Sequence, residues 1–221
     1  MTRPELWYEF TMEYPWAVKI QAEIEQTLTA LNSIFSAGNC LFMAGNGGSF
    51  ADCLHFSGEL MKQFETKHSH SPSWLAKIEQ SPVRDILTHL EPALPVWVLG
   101  ANPALQTAFL NDVNKPELYF AQELFQLGKK NDGLIVFSTS GQSKNILVLV
   151  ELARIMEITT IGITNEDGRP LEKAVDICIH APIKGKSADI QEYQLPIYHY
   201  IARQLEAQFF AVPSISAIEP A

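Results

Sequence analysis

Along residues 15–37, "PWAVKIQAEIEQTLTALNSIFSA", the apolar residues Ile20, Ile24, Leu28, Leu31 and Ile34 recur at three- and four-residue steps, which predicts one long amphipathic helix. Five later runs keep another rhythm: "CLFMA" (40–44), "PVWVLG" (95–100), "GLIVFS" (133–138), "TTIGIT" (159–164) and "DICIHA" (176–181). Each is too short for a helix and stops at Gly, Ser, Thr or Ala, as a buried strand does. Between the runs, helix-like segments fall near 50–64, 116–128, 143–156 and 187–210. Strands alternating with helices are the pattern of a parallel sheet enclosed by helical layers. The expected fold is therefore α/β: a three-layer, doubly wound, flavodoxin-like sandwich forming one domain over 1–221, with an N-terminal helical segment over about 1–37.

Two stretches stand apart from that alternation. Residues 66–92, "TKHSHSPSWLAKIEQSPVRDILTHLEP", read as an excursion inserted between two strands, with a loop at 68–73 and short helices around 74–79 and 83–90. The end of the chain, "PSISAIEPA", is expected to fray.

Ligands of open parallel sheets collect beyond the carboxyl ends of the strands, where helix-start amides point outward. Two such ends carry unusual chemistry. In "GNGGS" (45–49), Gly47 and Gly48 permit close backbone approach, while Asn46 and Ser49 add short polar side chains. Taken alone, the same residues would also make a plain turn and helix cap. In "STSGQSKN" (138–145), Ser138, Thr139, Ser140 and Ser143 crowd four hydroxyls around Gly141 at the start of a helix, an arrangement suited to a phosphate monoester. It is not a Walker loop, because the Gly-Lys-Ser/Thr ending is absent.

His55 and Glu59 stand four residues apart on one predicted helix, so they share a face and can converge on one point. That spacing serves either two metal ligands or an ion pair. Further on, "DIQEYQLPIYHYIARQLE" (189–206) places Gln191 and His199 on the last helix. Eight helical residues rise about 12 Å, too far for two side chains to meet one small ion easily. Pro196 lies between them and is expected to bend the helix. His68, His70, His89 and His180 read as loop or surface residues.

Charge and cysteines narrow the class. A net charge of −9, with no basic run longer than Lys129-Lys130, argues against nucleic-acid binding. Three widely spaced cysteines, Cys40, Cys53 and Cys178, without a CxxC, favour neither a disulfide framework nor a thiolate metal site and point to a reducing cytoplasm. No run approaches the roughly 20 apolar residues that span a bilayer, and no export signal opens the chain, so a soluble cytoplasmic protein without membrane partners is expected.

In order along the chain, "GNGGS", H-x-x-x-E, "LND", "STSG-x-S-x-N" and "IQE" with a His eight residues after the Gln resemble the sugar isomerase (SIS) domain family, and within it the phosphoheptose isomerases. The likeness spans roughly residues 15–210, apart from the excursion. It implies conversion of sedoheptulose 7-phosphate to D-glycero-D-manno-heptose 7-phosphate through an enediol, on the way to lipopolysaccharide or another surface glycan. Substrate contacts are implied at Asn46, Gly47, Gly48, Ser49, Glu59, Asn111, Asp112 and Gln191. Phosphate contacts are implied at Ser138, Thr139, Ser140 and Ser143. Glu59 and His199 become the acid/base pair, and His55, Glu59, Gln191 and His199 become ligands of one Zn2+ per subunit. The resemblance also implies a homotetramer with sites between subunits.

Three positions depart from the family pattern. Gln63 stands where an Arg is common, Ala188 where an Asp precedes the last-helix Gln, and Gln194 where a second His often follows it. Two other readings therefore stand beside the first: an isomerase for a different phosphosugar, and a non-catalytic SIS protein that binds a protein partner or senses phosphosugars.

Overall fold

The computed structural model describes residues 3–210; the terminal "PSISAIEPA" lies outside them. Five strands, β1 (Leu41–Gly45), β2 (Val96–Val98), β3 (Gly133–Phe137), β4 (Thr159–Thr164) and β5 (Ile177–His180), form one sheet in the order β2-β1-β3-β4-β5, every pair parallel. The helices are α1 (Pro4–Glu13), α2 (Gln21–Ser36), α3 (Gly48–Leu60), α4 (Pro72–Ile78), α5 (Arg84–Leu87), α6 (Pro103–Val113), α7 (Ala121–Leu127), α8 (Lys144–Ile155), α9 (Leu171–Ala174) and α10 (Ser187–Phe209).

Strand alternation divides the core into two layers, as a sheet covered on both faces requires. Leu41, Met43, Val96, Val98, Ile135, Phe137, Ile161, Ile163 and Ile179 face α2, α3 and α10, joined by Phe10 of α1. Phe42, Ala44, Leu134 and Val136 face the other way, onto Leu124 of α7, Leu149 and Val150 of α8 and Leu171 of α9. This is the doubly wound sandwich that the runs of apolar residues imply.

Several boundaries differ from the sequence reading. Residues 15–37 are not one helix: Pro15–Ile20 wind as a 3-10 helix before α2 begins. The apolar spacing survives, because Ile24, Leu28, Leu31 and Ile34 all lie within α2 and are buried, and Ile20 is buried at the end of the 3-10 helix. The 116–128 segment likewise splits into a 3-10 turn (Pro116–Leu118) and α7. Helix α6, which the apolar pattern does not mark, starts with a side-chain cap, Leu105 N–H to Asn102 Oδ1 at 3.2 Å, and stops at Asn114 in the left-handed region (φ 48°). Helix α10 runs unbroken through Pro196.

The excursion holds its two short helices, α4 and α5, and is tied down at its root. Leu94 N–H donates to Leu60 O at 3.0 Å, and Gln63 N–H donates to the Glu91 carboxylate at 2.9 Å. His68 corrects the surface reading: it is buried, with Nδ1 2.6 Å from Pro92 O, Nε2 2.8 Å from Glu206 Oε1, and its ring stacked on Phe210. Nothing in "KHSHS" distinguishes His68 from His70, which is only half-buried; only the approach of α10, 138 residues away, does so.

Candidate active site

Strands β1 and β3 are neighbours, with Gly45 opposite Phe137, so the turns that follow them emerge side by side. This is where the strand order reverses, the crevice in which doubly wound sheets take their ligands. Asn46 and Asn145 join the two turns by exchanging amide hydrogen bonds of 3.0 and 2.9 Å. Asn145, the last residue of "STSGQSKN", is thus a structural partner that the hydroxyl count alone overlooks.

The glycines of the first turn have separate tasks. Gly47 adopts φ +57° over open space, a backbone shape that side-chain-bearing residues resist. Gly48 has no such φ, but a Cβ there would fall 2.5 Å from Gln191 Nε2. Its missing side chain lets α10 close on α3. Ser49 is buried at the start of α3, its N–H bonded to Asn46 O at 3.0 Å.

In the second turn, Ser138 is buried, its Oγ 3.5 Å from Ser143 Oγ. Thr139 Oγ1 lies 3.0 Å from Ser187 Oγ at the start of α10, and Gln142 N–H donates to Ser140 Oγ at 3.2 Å. Gly141 (φ +64°) permits the bend, and a Cβ on it would strike the backbone of Gly168. Helix α8 then begins at Lys144, its first-turn amides beside these hydroxyls, where an anion would be favoured. A cavity of about 220 Å³ opens at the first turn, lined by Gly45, Asn46, Gly47, Phe50, Tyr119 and Phe120. Phe50, Tyr119 and Phe120 form an aromatic wall that no sequence spacing announced.

On the facing surfaces of α3 and α10, three of the four residues grouped by the sequence converge. Glu59 Oε1 lies 2.9 Å from His55 Nε2 and 3.0 Å from His199 Nε2. Glu59 is nearly buried, whereas both histidines are partly open to solvent. Glu59 Oε2 is buried with no hydrogen-bond partner. One donor atom from each residue lies within 4.8 Å of the others, so two imidazole nitrogens and a carboxylate can hold a metal ion. The unpartnered oxygen is what such a ligand, or a substrate proton, would satisfy.

Gln191 occupies a different level. Its Nε2 donates to Asp52 Oδ2 at 2.8 Å, one helical turn before His55. Burial pushes the Asp52 carboxyl up, against the Gln191 amide and His55, which pull it down. Within one chain, the eight-residue separation in α10 thus keeps Gln191 on Asp52 and His199 on Glu59. Asp52 precedes His55 by three residues, a same-face spacing that a wider search of the sequence could have included. Asn111 and Asp112 lie exposed near the end of α6, where Asn111 Nδ2 donates to Asp112 Oδ1 at 3.0 Å.

Among the positions departing from the family pattern, Gln194 is fully buried and donates to Ile163 O at 3.3 Å, so it packs α10 onto β4. Asp189 accepts from Lys186 N–H at 3.2 Å and caps α10.

A five-stranded parallel sheet with hydroxyl and glycine turns at its switch point is the architecture of SIS-domain phosphosugar isomerases, and the SIS domain model matches residues 114–205. The chain is similar to the phosphoheptose isomerase of Crocosphaera subtropica, with 31% identity covering 93% of this chain and 92% of that one. It is also similar to that of Aneurinibacillus thermoaerophilus, with 30% identity covering 85% and 82%. The solved structure of a phosphoheptose isomerase from Francisella tularensis superposes with a TM-score of 0.69 at 26% identity, covering 90% of this chain and 94% of that one. The chain belongs to the phosphoheptose isomerase family and is an isomerase. No described helix is long and apolar enough to cross a membrane.

Proposed function

We propose that the substrate is sedoheptulose 7-phosphate and the product D-glycero-D-manno-heptose 7-phosphate, made in the cytoplasm as a heptose precursor for lipopolysaccharide or another surface glycan. The observation that carries this reading is the convergence of Glu59, His55 and His199 in a family whose named relatives are phosphoheptose isomerases. Ser138, Thr139, Ser140 and Ser143 with the α8 amides take the phosphate. Asn46, Gly47, Gly48, Ser49, Asn111, Asp112 and Gln191 take the sugar.

Aldose–ketose exchange moves one proton between adjacent carbons and another between their oxygens. Glu59, whose Oε1 lies near both histidines and whose Oε2 has no partner, is the base: it takes the C1 proton of the ketose, giving the enediol, and returns it to C2. His199 serves the oxygens, passing the hydroxyl proton from O1 to O2. A Zn2+ held by His55, Glu59 and His199, joined by Gln191 where a neighbouring subunit reshapes the site, would supply Lewis-acid polarisation of the carbonyl. Exposed Leu54 on α3, Met61 just past its end and Leu195 on α10, all next to the triad, support a subunit contact there and a homotetramer.

Incubating the purified protein with sedoheptulose 7-phosphate, with and without zinc, and assaying the aldose tests the proposal; absence of turnover under both conditions refutes it. Gln63 favours a second reading, an isomerase for another phosphosugar: its backbone anchors the acidic Glu91 where family members offer an Arg. Turnover of a different phosphosugar in the same assay would select that reading.

A further inference from the structure

Tyr198 belongs to none of the groups assigned above. It precedes His199 in α10 and is 1% exposed, stacked on Phe56 with ring centroids 5.4 Å apart and edge-on to Phe137 at 5.9 Å. Phenylalanine would pack there equally well, so the hydroxyl is the part that needs a reason. It lies 3.0 Å from His55 Nδ1. The opposite nitrogen, Nε2, is the one facing Glu59 at 2.9 Å. The imidazole is therefore gripped at both ends although its side chain is half-exposed.

A phenol can donate or accept. With a carboxylate opposite, His55 Nε2 carries the ring proton and Nδ1 accepts from Tyr198. With a cation opposite, the Nε2 lone pair is needed there, Nδ1 carries the proton, and Tyr198 Oη accepts it. Rotation of one O–H bond serves both tautomers without displacing either ring.

We propose that Tyr198 is a positioning residue: its hydroxyl orients His55, holds Nε2 toward Glu59, and supports whichever His55 tautomer the site requires. It acts through His55 alone, and rests on the isomerase reading only for the use to which the oriented ring is put. Outer partners of metal-binding histidines work in this way, fixing tautomer and ring direction.

The test is Tyr198→Phe, which keeps the packed ring. In histidine-labelled, metal-free protein, the His55 Nδ1 resonance, assigned with His55→Ala, moves downfield toward the position of a free acceptor. Zinc affinity, measured by competition with a chromophoric chelator, falls about 10- to 100-fold. In a His55→Ala background, Tyr198→Phe lowers zinc affinity no further, the non-additivity expected of a residue acting through another. An unmoved Nδ1 resonance, or an equal loss of affinity with and without His55, overturns the proposal. A wild-type protein that neither binds zinc nor turns over a phosphosugar would defeat the proposed function, while the Nδ1 resonance would still decide the role of Tyr198.

Discussion

Asn46 and Asn145 face each other across the switch point of the sheet and exchange two amide hydrogen bonds, 3.0 and 2.9 Å long. Asn46 follows β1 and Asn145 lies in the first turn of α8, so the pair fixes the distance between the glycine turn and the hydroxyl turn. A phosphosugar must be held at both ends for its reacting carbons to meet Glu59, and 99 residues of chain separate the two turns.

Asn145→Ala should therefore loosen the site more than the fold. Each neutral hydrogen bond contributes about 0.5–1.5 kcal/mol, so losing two is expected to lower kcat/KM about tenfold or more. Both side chains are open enough to solvent for water to replace the lost partners, so Tm should shift by only a few degrees. Steady-state kinetics beside a melting curve separate the two. A large Tm loss with unchanged kcat/KM would contradict the linking role.

How far the sequence reaches depends on the range of the interaction that decides each feature. The strands were legible because a doubly covered sheet demands continuous apolar runs, and His55 with Glu59 because four residues make one helical turn. His68 was not, because its burial depends on Glu206 arriving from the far end of the chain. Tyr198 was hidden for a related reason: its position beside His199 says nothing of the partner on α3 that its hydroxyl meets. The glycine at 48 announces close approach in the sequence, and the structure supplies the neighbour, Gln191.

Gly45 and Gly48 should respond differently to alanine. At Gly45 the added Cβ would meet Ser49 backbone oxygen at 2.5 Å, and backbone cannot swing aside. At Gly48 it would meet only the end of the Gln191 side chain, also at 2.5 Å, which can rotate. Gly45→Ala is expected to destabilise by about 1–3 kcal/mol, the usual cost of overpacking. Gly48→Ala should cost less stability but break the Gln191–Asp52 bond and weaken substrate binding. Urea unfolding alongside KM measurements distinguishes them; equal stability losses would mean that α10 cannot yield at Gln191.

Glu59→Gln removes the charge while keeping the shape. The amide can neither take a carbon-bound proton nor attract a cation strongly. A lost general acid or base typically costs about 10²–10⁴ in rate, so kcat should fall within that range with KM little changed. Zinc binding, read by chelator competition, should weaken in parallel. If both persist, the acid/base assignment must move away from Glu59.

Glu206 ties acid sensitivity to the same region. Its carboxylate is nearly buried, yet it accepts from Phe64 N–H at 2.7 Å, from Glu65 and Thr66 N–H at 3.1 Å each, and lies 2.8 Å from His68 Nε2. Burial raises the carboxyl, but the three backbone amides and His68 outweigh it, and the net shift is downward. A carboxyl whose folded value lies below its unfolded one stabilises the fold fully above the ordinary range, near ~4.3, and loses that contribution as pH falls through the depressed folded value. Glu206→Gln keeps an acceptor oxygen but no charge, and should cost about 1–3 kcal/mol at neutral pH. Urea unfolding from pH 7 downward should show the gap between wild type and variant closing below about pH 4.3, where the wild-type carboxylate takes up its proton. Because this carboxylate sets the 64–66 turn, and Phe64 packs 5.8 Å from His199 between ring centroids, the variant should also lose activity at neutral pH. A gap that stays constant with pH would assign the cost to shape rather than to the Glu206 charge.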